Sequence, residues 1–395
     1  MARFAPSFLT TAAALGLMAG AALAQDFNAA PPNAPDQQPA FEGQTRAPVI
    51  ADTVALKTET VVDGLSHPWA LALLPDGAWL VTERPGRLRM VSADGPLSEP
   101  ITGLPEIDAK GQGGLLDVMV GPDFASDRRL WISYAAPAEG GNQTAVATAK
   151  LSADGRSLEE VKELFRQTPV YDGDKHFGSR LLLDGQGGLI VTLGERSDVP
   201  IRDSAQADDN HLGKIVRIDP LTGAPMGAGI GLPETHAKGF RNVQAAAFDA
   251  QGQLWTVEHG PKGGDELNHV EAGKNYGWPV ITYGVAYSGA DINAGKTAQE
   301  GMEQPVYYWD PVIAPSGMAF YDGAMFPDWN GSALIGALQA GGGVVRLTLD
   351  GDKVSGEARY LNGIGRVRDL AVAPDGALML VTDADNGAVI RVSKE

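Results

Sequence analysis

One stretch of the sequence combines carboxylates, glycine and proline in a pattern that could bind a hard cation. It spans residues 258–268 with the sequence EHGPKGGDELN, and the segment NYGWP follows at residues 275–279. Ca²⁺ takes about six to eight oxygen ligands from carboxylates, backbone carbonyls and water, so a turn of this composition is a candidate calcium site. A solvated surface loop explains the same composition equally well.

Further polar residues stand just before, or at the start of, apolar runs, where loops are expected to lead into strands. They are Gln112, His176, Arg241, Asn242, Arg366 and Arg368. Imidazole is the usual general base near neutral pH, and three convergent arginines would bind an anion. A lone histidine is more often structural, and an arginine usually pairs with an acid, for which Asp369 is the local candidate.

The elements that must position these residues are short β-strands in a repeated pattern. Each copy has an apolar run, a tight turn, often of the Pro-Asp-Gly type, and a second apolar run, and the copies lie at 69–84, 116–134, 180–195, 245–258, 317–337 and 370–383. Asp-Gly between alternating apolar runs is typical of a β-hairpin, and widely spaced repeats of hairpins are typical of a propeller.

We therefore predict an all-β fold, a six-bladed β-propeller of four-stranded antiparallel sheets. Residues 53–62 would supply the last outer strand and close the ring. Since the inner strands of a propeller line a central channel, the polar residues before them are expected to converge there. A β-sandwich is the alternative fold. Little helix is expected beyond one turn near residues 157–164.

Composition limits the classes of function. The 395 residues include 31 Lys and Arg against 49 Asp and Glu, for a net charge of -18, which disfavours nucleic acid and anionic membrane surfaces as partners. The absence of cysteine excludes disulfides and thiolate metal sites. No Gly-x-Ser-x-Gly, His-Glu-x-x-His or Walker A sequence is present, so serine hydrolase, zinc protease and NTPase functions have no support.

The chain is expected to have three parts. Residues 1–24 have the basic start, apolar run and small-residue cleavage site of a secretory signal peptide, which predicts export. Residues 25–48 are rich in Pro, Ala, Gln and Asn and are interpreted as a flexible tether. Residues 49–395 would form the propeller, and no run after the signal is long and apolar enough to span a membrane.

The motifs together resemble the soluble quinoprotein glucose/sorbosone dehydrogenases, and within them the periplasmic aldose sugar dehydrogenases. The resemblance runs from about His67 to the C-terminus. Its motifs occur in the family's order and are GQGGLLD at 111–117, HFGSRL at 176–181, GFRN at 239–242, EHGPKGGDELN at 258–268, NYGWP at 275–279 and RVRD at 366–369. Each motif alone is weak, but the ordered set is specific.

This resemblance implies a periplasmic oxidoreductase that oxidises the C1 hydroxyl of an aldose to the lactone. Hydride would pass to pyrroloquinoline quinone (PQQ), and Ca²⁺ bound by the carbonyls of Gly260 and Pro261 would activate the quinone. His176 would take the hydroxyl proton, Gln112 would contact substrate or quinone, and Glu266 with the carbonyl of Tyr276 would bind a second, structural calcium. The residues implied to hold the cofactor are Arg241, Asn242, Gln339, Arg366 and Arg368.

Two departures from the family pattern leave alternatives open. Gln339 stands where the family usually has a lysine that contacts the quinone, and Lys175 stands where some glucose-oxidising members have an acid. A non-catalytic propeller that binds a sugar or a protein is therefore the alternative function. A calcium-dependent lactone hydrolase ranks below both, because the channel residues include few carboxylates. The enzyme would also need an external electron acceptor, either a quinone or a redox protein.

Overall fold

The chain is described by a computed structural model over residues 26–51, 54–92, 95–339 and 341–395. The predicted signal peptide at residues 1–24 lies outside the described residues. Within them the chain forms 23 β-strands and five short helical turns, which are Phe27–Ala29, Phe124–Asp127, Ile201–Gln206, Asn293–Gly295 and Pro327–Trp329. None of the helices in these ranges is long and apolar enough to cross a membrane.

The strands form six antiparallel sheets, which are the blades of the predicted propeller. Blades one to three contain, from the channel outward, β2 (Pro68–Leu73), β3 (Trp79–Glu83) and β4 (Arg87–Val91); β5 (Leu115–Val120), β6 (Arg129–Ala138), β7 (Gly141–Leu151) and β8 (Leu158–Arg166); and β9 (Gly178–Leu183), β10 (Leu189–Leu193), β11 (Lys214–Ile218) and β12 (Thr235–Lys238).

Blades four to six have the same arrangement. They contain β13 (Val243–Phe248), β14 (Leu254–Glu258), β15 (Asp265–Val270) and β16 (Tyr307–Trp309); β17 (Pro315–Phe320), β18 (Ala333–Ala337), β19 (Val344–Asp350) and β20 (Lys353–Tyr360); and β21 (Val367–Val372), β22 (Leu378–Thr382), β23 (Gly387–Lys394) and β1 (Leu56–Leu65).

The N-terminal strand closes the ring, as predicted. Strand β1 pairs antiparallel with the C-terminal strand β23, from Leu56 opposite Lys394 to Leu65 opposite Gly387. Blade one is the exception to the four-stranded pattern, because it has three strands and only isolated bridges from Leu97 and Ile101 in place of a fourth.

Six inner strands surround the channel. Strands β2, β5, β9, β13, β17 and β21 each contact the next in this order around the ring. The first four residues of every one of these strands are buried. Polar and charged residues are among these buried positions, including Asp117, Arg180 and Asp369. The loops before the inner strands therefore meet at one end of the channel.

The expected helical turn near residues 157–164 is wrong. This segment belongs to β8, the outer strand of blade two, which pairs with β7 from Leu151 opposite Leu158 to Ala145 opposite Arg166. Its central residues are exposed and only Leu158 and Phe165 are buried. The free edge of β7 supplies backbone partners along this segment, which favours a strand over a helical turn.

Residues 26–48 differ from the expectation of a flexible tether. Gln44 in this segment is fully buried, and its side chain donates to the carbonyl of Pro305 at 2.9 Å. Arg46 donates to the carbonyls of Ala30 and Asp310 at 3.0 and 2.9 Å. Side-chain hydrogen bonds to backbone carbonyls, which need no apolar periodicity, fix this segment to blade four.

A buried ion cluster lies on the channel axis. Arg180 of β9 donates to Asp117 of β5 at 2.9 Å and to Asp369 of β21 at 3.0 Å, and its guanidinium lies 4.8 Å from the ring centroid of Trp69 in β2. Four inner strands thus contribute to one cluster. Asp369 pairs with Arg180 and not with Arg366 or Arg368, so the local partner suggested from sequence is wrong.

Replacing the central arginine is expected to destabilise the propeller strongly. In Arg180→Leu, Asp117 and Asp369 would remain buried without their cation, which typically costs about 3–5 kcal/mol. Urea unfolding of both proteins measures this difference. The matched control is Arg166→Leu, because the pair of Arg166 with Glu163 is solvent-exposed and contributes less than about 1 kcal/mol. Equal effects of the two substitutions would contradict a central role for the cluster.

Candidate active site

The loops that lead into the inner strands of blades two, three and four are joined by hydrogen bonds. The backbone N–H of His176 donates to Oε1 of Gln112 at 3.0 Å. The N–H of Gly178 donates to Oδ1 of Asn242 at 3.1 Å. In each pair the two residues are 64 positions apart in the sequence. Their contact agrees with the prediction that the polar residues before the inner strands converge.

His176 is buried, with 5% of its surface exposed, and one of its two ring nitrogens is hydrogen-bonded. Nδ1 lies 2.9 Å from Oε2 of Glu195. Burial lowers the pKa of His176 below its ordinary value, although the neighbouring carboxylate opposes this. The imidazole is therefore neutral at pH 7, with the proton on Nδ1 facing Glu195. Nε2 is left as a proton acceptor, and it has no hydrogen-bond partner among the described residues.

Glu195 is a site residue that the sequence reasoning missed. It is fully buried two residues after β10. Burial opposes its ionisation, but the interaction with His176, the positive charge of Arg241 and the hydrogen bond from the N–H of Ser197 outweigh this effect and lower the pKa of Glu195. A signal was present in the sequence, because the second apolar run of four repeats ends at an acidic residue: Glu83, Glu195, Glu258 and Asp383.

Arg241 and Asn242 lie beside this pair and are also buried. Nη1 of Arg241 donates to the carbonyls of His259 and Gly260 at 3.0 and 2.7 Å, and its guanidinium lies 5.3 Å from the ring centroid of Trp278. Nδ2 of Asn242 is buried and has no hydrogen-bond partner within the described ranges. Such an unpaired donor is costly unless a ligand accepts its hydrogen bond.

Arg366 and Arg368 share one acidic partner, Asp383. Arg368 is buried and its Nη2 donates to Oδ2 of Asp383, which Nη2 of Arg366 approaches to 3.5 Å. Nη1 of Arg368 also donates to Gln244 at 2.6 Å, which links blade six to blade four. Half of the Arg366 side chain is exposed. Asp383 therefore positions both arginines.

Three of the predicted ligand-binding residues line one cavity. This cavity has a volume of 220 Å³, and its wall includes Gly260, Pro261 and Gln339, together with His259 and Tyr287. Gln339 is exposed at its surface, and the ring of Tyr287 is 75% exposed at its mouth. The backbone carbonyl of Pro261 has no hydrogen-bond donor among the described residues. The two residues whose carbonyls are the predicted cation ligands, Gly260 and Pro261, therefore line the same cavity as Gln339.

The predicted second metal site contains a pair of carboxylates. Glu266 of β15 lies directly opposite Glu258 of β14, and both are buried. Burial raises the pKa of Glu258 to about 7 and that of Glu266 well above its usual value. Tyr276 is buried in the loop after β15, and its backbone carbonyl accepts no hydrogen bond from the described residues. No cluster of three or more His, Cys, Asp or Glu ligands occurs there or elsewhere in the described ranges.

Calcium is expected to stabilise the protein through Glu266. Two adjacent buried carboxylates repel each other, and a divalent cation bound to Glu266 would relieve that repulsion. At a Ca²⁺ concentration about 100 times its Kd, binding to the folded state alone stabilises by about 2.7 kcal/mol. Thermal unfolding with and without Ca²⁺ should show a rise in Tm for the wild type.

The rise in Tm should be lost in Glu266→Gln. The control is Glu99→Gln, since Glu99 is exposed and lies in blade one, far along the chain from the carboxylate pair. This control should respond to Ca²⁺ like the wild type. The same Ca²⁺-induced rise in Tm in Glu266→Gln and in the wild type would contradict binding at Glu266.

Comparison with known proteins agrees with the fold and the motifs. Residues 65–391 match the family described as Glucose / Sorbosone dehydrogenase. Aldose sugar dehydrogenase YliI of Escherichia coli K12 is 42% identical over 356 residues, which cover 87% of this chain and 94% of that protein. A crystal structure of a glucose dehydrogenase, 46% identical, covers 86% of this chain and all of its own, with a TM-score of 0.82.

A more distant structure shows a relative with its cofactor. The PQQ-bound form of aldose sugar dehydrogenase from Streptomyces coelicolor is 27% identical, with a TM-score of 0.70, and the match covers 87% of this chain and 100% of the other. The resemblance drawn from the ordered motifs is thus confirmed by sequence and by structure. The chain is a member of the glucose/sorbosone dehydrogenase family.

Proposed function

We propose that this protein is a periplasmic, PQQ-dependent dehydrogenase that oxidises the C1 hydroxyl of an aldose sugar to the lactone. The observation that carries this proposal is the buried His176–Glu195 pair, which leaves a neutral imidazole nitrogen free at the end of the channel. Membership of the family and the PQQ-bound relative support the cofactor. The signal-like residues 1–24 support export to the periplasm.

The described residues fit a tricarboxylate cofactor. Arg241, Arg366 and Arg368 converge on this end of the channel, and guanidinium groups bind carboxylates in pairs of hydrogen bonds. Nδ2 of Asn242 and Nε of Arg368 are buried donors without partners in the described chain, and PQQ offers carboxylate and quinone oxygens as acceptors. Gln339 can donate a hydrogen bond where the family usually has a lysine, but it supplies no positive charge there.

The proposed catalytic calcium would use backbone oxygens. Gly260 and Pro261 line the same cavity as Gln339, and their carbonyls are the proposed ligands. Arg241 already donates to the carbonyl of Gly260. A carbonyl oxygen has two lone pairs, so it can accept this hydrogen bond and coordinate a cation at the same time. Glu266 and the carbonyl of Tyr276 remain the proposed ligands of a structural calcium.

His176 acts in this proposal as the general base. Its Nε2 takes the proton of the C1 hydroxyl, while Glu195 holds Nδ1–H and stabilises the positive charge that develops on the ring. When bound, PQQ supplies an electrophilic quinone, polarised by Ca²⁺, that accepts hydride from C1. Gln112 accepts the N–H of His176 through Oε1, and its Nε2 remains available for a sugar hydroxyl. A quinone or redox protein would then take up the electrons.

Loss of the imidazole is expected to abolish most of the activity. After loading with PQQ and Ca²⁺, dye reduction by a panel of aldoses should show a kcat for His176→Ala that is about 10²- to 10⁴-fold below the wild type. The control is His236→Asn, a histidine next to blade three's outer edge with no side-chain hydrogen bond in the described chain. Full activity of His176→Ala would refute the assigned base. A folded wild type that is inert with every sugar would favour a non-catalytic propeller.

Removal of the Glu195 charge is expected to change the pH profile. Because the pKa of His176 is lowered by burial, kcat/KM of the wild type should be level at neutral pH and fall only as the pH drops below the ordinary imidazole value of about 6.5. Glu195 raises the pKa of His176, so Glu195→Gln should move this fall to still lower pH. It should also reduce kcat by about 10²-fold or more, because the amide permits the wrong tautomer.

The control for Glu195→Gln is a second histidine–glutamate pair, in which the histidine is buried and the glutamate is partly exposed. His211 faces Glu234 through Nε2 in blade three, away from the channel. Glu234→Gln should leave both the pH profile and kcat unchanged. An unshifted profile in Glu195→Gln, or equal effects of the two substitutions, would show that Glu195 does not control the ionisation of His176.

A further inference from the structure

The N-terminal segment, defined as residues 26–48, reaches from the outer edge of blade four to the candidate active site. At its centre the backbone N–H groups of Asn33 and Ala34 donate to the two carboxylate oxygens of Asp310. The N–H of Val312 in turn donates to Oδ1 of Asn33 at 3.1 Å. Two residues of the segment, Asn33 and Ala34, thus form three hydrogen bonds that fix it against the loop between blades four and five.

Packing at this point is close. Ala34 is 2% exposed. Gly263, in the predicted metal-binding turn, adopts a φ of +87°, and a Cβ atom added there would lie 3.3 Å from Cβ of Ala34. The N-terminal segment therefore lies directly against the turn that carries Gly260 and Pro261. It is part of the wall of the site and not a separate appendage.

Asn33 is a lining residue of the 220 Å³ cavity that also contains Gly260, Pro261 and Gln339. Its Oδ1 accepts a hydrogen bond from the N–H of Val312. Because only the oxygen of the amide can accept, this contact also fixes the orientation of the amide group. Nδ2 is the remaining polar atom, and it has no hydrogen-bond partner in the described part of the chain. Asn33 thus brings one neutral donor without a partner in the described chain to the wall of the cavity.

We propose that Asn33 is a specificity-determining residue that donates a hydrogen bond from Nδ2 to a hydroxyl group of the aldose, with the N-terminal segment forming that wall of the substrate site. This inference rests on the proposed function. A neutral amide can donate to a neutral hydroxyl without the cost of burying a charge, and the carboxylates of the cofactor already have Arg241 and the arginines around Asp383 as proposed partners. The segment precedes residues 65–391, which match the family, so this wall is supplied outside the shared region.

The decisive variant is Asn33→Asp. It keeps an oxygen for Val312 N–H and removes the donor that faces the cavity. The matched control is Gln38→Glu, the same amide-to-carboxylate change at an exposed position of the N-terminal segment outside this cavity. Asn33→Ala is measured alongside, because it removes the donor without adding charge. Tm values identify any variant whose fold is disturbed.

Three quantities are measured on protein loaded with PQQ and Ca²⁺. For Asn33→Asp, KM for the best aldose should rise about five- to tenfold, the effect of one lost hydrogen bond, with kcat changed less than about twofold. The order of preference among aldoses that differ at a single hydroxyl should change. The Kd of PQQ, from quenching of tryptophan fluorescence, should be the same as for the wild type and Gln38→Glu.

Two outcomes on an active enzyme would overturn the proposal. One is an unchanged KM for every sugar in both Asn33 variants, and the other is a weakened PQQ Kd with an unchanged KM. A wild type that reduces no dye with any aldose would refute the proposed function instead. In that case calorimetric titration of the loaded protein with aldoses decides about Asn33: weaker binding in Asn33→Asp supports its role, and equal or undetectable binding refutes it.

Discussion

The site depends on one repeated interaction, in which a buried carboxylate at the end of a blade's second strand holds the loop that leads into the same blade's inner strand. Glu83 accepts the N–H of Ser66, and Glu258 accepts the N–H groups of Arg241 and Asn242. In an antiparallel hairpin these two places are neighbours, so a carboxylate at one can satisfy donors at the other. Backbone donors that a buried loop would otherwise leave unpaired are thereby satisfied.

The same device supports the chemical groups of the other two blades. Glu195 accepts from the imidazole of His176 in blade three, and Asp383 accepts from Arg368 in blade six. The carboxylates that hold backbone N–H groups in blades one and four therefore correspond to a carboxylate that holds the imidazole of His176 in blade three. In blade six the corresponding carboxylate holds a guanidinium. Carboxylates at equivalent positions thus hold different groups within a shared geometry, while Arg180 links the inner strands themselves.

The side chains near the channel include a group of positive charges, although the protein as a whole is negatively charged. The chain carries a net charge of -18, yet Arg241, Arg366 and Arg368 gather where the leading loops meet. The positive charge of Arg241 also helps to keep the buried His176 neutral, because it lowers the pKa of His176 further. An anionic cofactor and a neutral base are both favoured by this local field, and the acidic exterior does not prevent either.

The periodicity of the sequence predicted much of the fold, but it did not predict most of the side-chain pairs. The hairpin repeats and the closing strand follow from local apolar patterns and Asp-Gly turns, which act over a few residues. The helical turn expected at 157–164 failed because the open edge of blade two outweighed local preference. Glu195 was missed because its importance depends on His176, which is close only after the blade has folded. The contacts of the N-terminal segment were missed because they are hydrogen bonds, to backbone carbonyls and to the Asp310 carboxylate among others, and such bonds produce no apolar periodicity.

The most direct test of the account is the absorbance spectrum of the protein loaded with PQQ and Ca²⁺, recorded without any electron acceptor before and after an aldose is added. We expect the spectrum of the bound oxidised quinone to be replaced by that of its reduced form, with one equivalent of lactone produced per protein. A cofactor that binds but keeps its oxidised spectrum with every aldose would contradict the proposed dehydrogenase activity.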